Sequence, residues 1–144
     1  MKFNGVVQLC TKENAQKQII TFAPEGFKCT LEDDQKGHHV TLGYKPSMSS
    51  LEYLRKLYND PSVRGKVFFI PKMIRWDKEI CALFGYLAVA EQQTGGFVHI
   101  TVAGTMPPIN SARLQHNWDG EEKAFGEFEL VYREVSFEES ECKR

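Results

Sequence analysis

The tetrad His39-Val40-Thr41-Leu42 recurs about sixty residues later as His99-Ile100-Thr101-Val102. Each copy leads within a few residues to a proline, Pro46 or Pro107, and then to a helical pattern. A strand–loop–proline–helix unit that occurs twice is not a solenoid, which needs about three or more stacked copies. It implies two similar halves in one sheet-rich α+β fold. The chain has 144 residues, one domain's worth. The expectation is a single bilobal domain over residues 1–137 with a mostly antiparallel sheet, and a charged tail over residues 138–144.

The remaining segments fit that frame. Phe3 to Cys10 is short and β-branched and reads as a strand. Thr11 reads as the cap of a helix carrying Ala15, Ile19 and Phe22 at helical spacing, broken at Pro24. Phe27 to Leu31 reads as a short strand, and Glu32 to Gly37 as a charged turn. Ser49 and Glu52 form a capping-box pattern, and Leu51, Leu54, Leu57 and Tyr58 make the apolar stripe of a helix over Ser50 to Asn59. Lys66 to Trp76 and Glu79 to Ala90 read as two long strands, with Pro71 marking an edge or bulge. A turn is expected over Gln92 to Gly96, a strand over Phe97 to Ala103, a short helix over Ile109 to Asn117 and a loop over Asp119 to Glu122. Phe125 to Phe137 alternates as a last strand, with Phe128, Leu130 and Tyr132 facing in.

Composition removes several classes of function. Lys and Arg number 18 against 19 Asp and Glu, so no global cationic field exists for non-specific duplex binding. A local positive pocket for a small anion stays open. Cys10, Cys29, Cys81 and Cys142 are far apart, without the paired spacing of a zinc site, and read as free thiols of a reducing compartment. No signal-peptide core and no long apolar run occurs. The expectation is a cytoplasmic or nuclear monomer with no membrane contact, no metal and no cofactor.

Chemistry enters through the doubled H-x-T. Alternate side chains of a strand share a face, so His39 points with Thr41 and His99 with Thr101, while Val40, Leu42, Ile100 and Val102 point into an apolar layer. In-line attack on a phosphodiester needs a base to deprotonate water and an acid to protonate the leaving oxygen. Two imidazoles can do both near neutral pH, and two hydroxyls can hold the non-bridging oxygens. Fourteen Ser and Thr residues and four histidines give roughly 0.4 H-x-[ST] matches by chance, so one match means little. Two matches in the same strand–proline–helix setting mean much more.

The paired tetrads and the element order resemble the two-histidine (2H) phosphoesterase superfamily over nearly the whole chain. The run His39-Val40-Thr41-Leu42-Gly43 and the segment Pro107-Pro108-Ile109-Asn110-Ser111 are most similar to the branch of cyclic nucleotide phosphodiesterases and tRNA-ligase cyclic phosphodiesterase domains. The resemblance implies a cleft in which His39, Thr41, His99 and Thr101 form a metal-free phosphate site. It implies hydrolysis of a 2′,3′-cyclic phosphate, at an RNA end or on a small nucleotide, to a 2′-phosphomonoester. A 2′,5′-oligonucleotide or cyclic-oligonucleotide phosphodiesterase is the alternative enzyme. A non-catalytic nucleotide- or RNA-binding module is the alternative from another class. His99 is favoured as base and His39 as acid. The chain is expected to stand alone or as a domain of a larger RNA-repair protein.

Around this pair, Tyr44 is a candidate base-stacking residue, with Phe84, Tyr86 and Phe97 as rivals. Asn110, Ser111 and Arg113 lie near an expected helix N-terminus, where anions bind. His38 is expected on the opposite face as a solvent or loop-edge histidine, and His116 as a structural residue late in a helix.

Overall fold

The computed structural model describes residues 1–24, 38–77, 80–94, 96–104, 120–122 and 125–137. Its elements run β1 (Gly5–Thr11), α1 (Glu13–Ile20), β2 (His39–Tyr44), α2 (Met48–Asn59), β3 (Val67–Trp76) and β4 (Ile80–Val89). Then come β5 (Gln92–Gln93), β6 (Val98–Gly104), β7 (Gly120–Glu122) and β8 (Phe128–Ser136). The strands pair in the order β2-β1-β8-β3-β4-β5, with β6 also on β4 and β7 also on β3. Every one of these pairings is antiparallel, so the expectation of a mostly antiparallel α+β fold holds.

The main core forms on one face of this sheet, and a smaller buried cluster of Ile80, Ala82 and Phe84 with Met73 lies apart from it. Leu9, Val40, Phe69, Leu83, Ile100 and Leu130 are buried in the main core with Ile19 of α1 and Tyr58 of α2. Each such apolar side chain contributes roughly 1.5–3 kcal/mol when it leaves water. The expected apolar stripes hold: Ala15 of α1 and Phe22, in the turn just after it, pack on this core, as do Leu54 and Leu57 of α2. A second tie fixes α2 to β8. Arg55 donates two 2.8 Å hydrogen bonds to Glu134, and Tyr58 stacks on Tyr132 at 5.5 Å.

Local corrections have physical reasons. Thr11 ends β1 instead of capping α1, because its hydroxyl and its backbone N–H both donate to the His38 carbonyl at 3.0 Å. Helix α2 starts two residues earlier than the capping-box pattern indicates. Ser47 is the N-cap and accepts from the Ser50 N–H. The turn after β4 falls on Ala90 and Glu91, not on Gln92 to Gly96. Both have positive φ, 52° and 71°, as a tight two-residue hairpin requires, and Gln92 and Gln93 pair back onto β4. Part of the segment read as a loop, Gly120 to Glu122, is strand β7 on β3.

Pro71 does mark a bulge. Pro71 pairs with Gly85 and Met73 with Phe84, so Lys72 is the extra residue. Gly85 permits this close approach, since a Cβ there would land on the Ile70 carbonyl. No helix among the described residues is long and apolar enough to cross a membrane. The segments 25–37, 105–119 and 138–144 lie outside the described residues, and with them the expected strand at Phe27 to Leu31, the turn at Glu32 to Gly37, the helix at Ile109 to Asn117 and the tail.

Candidate functional site

The two motif strands put their side chains where strand alternation requires. In β2, Val40 is buried and Leu42 packs on the core, while His39 and Thr41 sit in rows opposite Cys10 and Gln8 of β1. In β6, Ile100 and Val102 enter the core, while His99 and Thr101 sit opposite Phe84 and Ala82 of β4. Each strand therefore carries one imidazole and one hydroxyl on the side away from the core. The strands lie at opposite ends of the pairing order, yet the sheet curls enough that Cα atoms of β2 and β6 come within 8 Å.

The tetrads match in a second way that their residues do not reveal. Val7 pairs with Gly43 and Gln8 with Thr41, which leaves Leu42 as a bulge in β2. Cys81 pairs with Ala103 and Ala82 with Thr101, which leaves Val102 as a bulge in β6. The fourth residue of each tetrad is thus the extra one. A bulge bends its strand and re-aims the side chains that follow. One consequence concerns Tyr44. It pairs with Val6, in the rows that hold His39 and Thr41, and not with the core-facing set that plain alternation would give. Tyr44 is 68 % exposed and lies against the Phe137 ring at 5.7 Å, about 7 Å along the strand from the Thr41 row. It is the one candidate stacking residue on the face of β2 that carries the histidine.

The electrostatics couple the two imidazoles. Burial lowers the pKa of His99 below the usual histidine value, and the charge of His39 lowers it further. The His99 ring also stacks on Phe84, at 5.4 Å between centroids and 29° between planes. Its orientation is thereby held by a side chain that is itself 2 % exposed. A lowered pKa favours the neutral form of His99, which suits a base more than an acid. Of the rival aromatics, Phe84 serves as this stacking partner, while Tyr86 and Phe97 pack on each other at 4.7 Å.

His38 corrects the expectation of a solvent-facing histidine. It lies next to His39 in sequence and is only 2 % exposed. Its Nε2–H donates to the Val102 carbonyl at 3.2 Å, joining the residue before the first H-x-T to the residue after the second. Its backbone carbonyl is held by Thr11. Burial keeps the His38 pKa below the usual value; the bond to Val102 opposes this and the His39 charge adds to it. The ring therefore acts as a neutral tie across the sheet's two ends.

Sequence reasoning also missed Gln8. It is a polar residue only 2 % exposed, directly opposite Thr41, and its Oε1 lies 3.5 Å from the Cys10 sulfur. The signal was present but unread: a glutamine inside the apolar run Val6-Val7-Gln8-Leu9. Asn110, Ser111, Arg113 and His116 lie outside the described residues. Among the described residues no cluster of His, Cys, Asp and Glu could hold a metal ion. No family model, no curated protein and no solved structure matches the chain.

Proposed function

We propose that this chain is a metal-independent phosphodiesterase of the two-histidine type. Its substrate is a 2′,3′-cyclic phosphate, at an RNA end or on a small nucleotide, and its product a 2′-phosphomonoester. The two ends of the sheet then act as two lobes, with β2 and β6 lining the cleft. The observation that carries this reading is the pairing of the tetrads: two H-x-T strands with matching bulges, side chains away from the core, and the His39 charge felt at His99.

The steps follow from the side chains. His99, neutral, takes a proton from water. The water oxygen forms a bond to phosphorus while the bond from phosphorus to the 3′ oxygen breaks. His39, protonated, gives its proton to that leaving oxygen. Thr41 and Thr101 donate to the non-bridging oxygens as negative charge grows on them. Each proton transfer is worth about 10²–10⁴ in rate.

A chelator-treated sample should hydrolyse a 2′,3′-cyclic nucleotide at the untreated rate. Assayed beside it, a 2′,5′-linked dinucleotide and a cyclic dinucleotide should turn over more slowly. A rate lost to chelator and restored by a divalent ion would overturn the two-imidazole chemistry. Tight nucleotide binding with no turnover of any of the three would make the chain a binding module instead.

A further inference from the structure

The strand registers place an arginine in the row of each motif threonine. In one half of the sheet the row runs Thr41–Gln8–Arg133 across β2, β1 and β8. In the other it runs Thr101–Ala82–Arg75 across β6, β4 and β3. Side chains of one row lie on one face of a sheet, so each arginine shares the face of its H-x-T, two strands away at about 10 Å.

Both arginines also lean the same way. The Arg133 guanidinium acts on Cys10, which stands opposite His39: burial pushes the Cys10 thiol pKa up, and the arginine opposes that rise. The Arg75 guanidinium lies 5.0 Å from the centre of the Phe84 ring, which stands opposite His99 and stacks on it. Each cation has thus moved one row toward a motif histidine. The same relation arises twice, from residues with no common sequence context: Arg75 sits in Ile74-Arg75-Trp76 and Arg133 in Tyr132-Arg133-Glu134.

A guanidinium presents a planar fork of donors that matches phosphate oxygens. The chain as a whole carries a net charge of −1, and the composition does not announce that two arginines stand on the face of the motif residues, Arg75 with its Nε–H donated to the Met73 sulfur at 3.0 Å. A mononucleotide with one cyclic phosphate has no use for cations on both flanks of the histidine pair. A chain with further phosphates does.

We propose that Arg75 and Arg133 are phosphate subsites flanking the two histidines, and that the substrate is an oligonucleotide whose phosphates continue past the attacked one. This rests on the phosphodiester reading of the site and narrows its substrate class.

The test uses a labelled short oligoribonucleotide ending in a 2′,3′-cyclic phosphate, with the cyclic mononucleotide as reference. Binding is measured by anisotropy across a salt series, and kcat/KM is measured for both substrates. Arg133 is exposed, so Arg133→Gln should fold; Arg75→Gln and Arg75→Lys cover the half-buried position. Wild type should prefer the oligonucleotide. Each Gln variant should reduce that preference about tenfold and flatten the slope of log affinity against log salt by about 0.7, the single-strand value per phosphate contact. Arg75→Lys should keep most of the salt slope. Preferences and slopes within twofold of wild type in both Gln variants would overturn the inference and leave the hydrolytic reading standing. Arginine-dependent binding by a wild type that hydrolyses neither substrate would do the reverse.

Discussion

His39→Ala and His99→Ala should each lower turnover of a 2′,3′-cyclic nucleotide by about 10²–10⁴, the usual cost of losing one acid–base group. Neither loss should be a folding effect. Both side chains project away from the core that Val40 and Ile100 enter, and both residues are only half-buried. His99→Ala also gives up the stack on Phe84, which costs about 0.5–1.5 kcal/mol and leaves the domain folded. Thermal unfolding beside steady-state kinetics separates the two effects. A folded His39→Ala or His99→Ala protein with turnover within threefold of wild type would remove that imidazole from the chemistry.

His38→Ala should behave in the opposite sense, with its main effect on stability. It deletes the buried hydrogen bond from the His38 ring to the Val102 carbonyl. Loss of such a bond costs about 1–3 kcal/mol. The pH dependence has a definite sign. Folded His38 has a lowered pKa, chiefly through burial, and so does folded His99. The unfolded chain therefore binds protons that the folded chain refuses. Folding stability should fall as pH drops below about 6.5, the unfolded histidine value. His38→Ala should flatten that fall. Denaturant melts at several pH values read it directly. A variant as stable as wild type, with the same acid slope, would mean that the tie across β2 and β6 carries no weight.

Much of this was legible because it depends on short-range periodicity. The apolar positions Val40, Leu42, Ile100 and Val102 alternate with the motif residues, so the face of each H-x-T could be read before any pairing was known. The stripe on α2 and the bulge at Pro71 were legible for the same local reasons. What escaped depends on partners far along the chain. His38 is buried because the Val102 carbonyl, 64 residues away, comes to it. The bulges at Leu42 and Val102 leave no mark in composition, yet one of them brings Tyr44 to the side of His39. Arg75 and Arg133 join the motif rows only through the register of three strands in each half. The turn at Ala90 and Glu91 carries neither Gly nor Asn, the residues that normally announce positive φ.

The central claim is that two imidazoles, one neutral and one charged, perform both proton transfers. The pH dependence of kcat/KM for a 2′,3′-cyclic nucleotide tests it most directly, measured with chelator present and where chemistry limits the rate. The account predicts a bell whose two limbs belong to the coupled pair. Its acidic limb should lie below about pH 6.5, because burial and the His39 charge hold His99 below the ordinary histidine value. That limb should vanish in His99→Ala and the alkaline limb in His39→Ala. A wild-type profile that stays flat from about pH 5 to about pH 8, the range in which imidazoles titrate, would contradict the two-histidine mechanism.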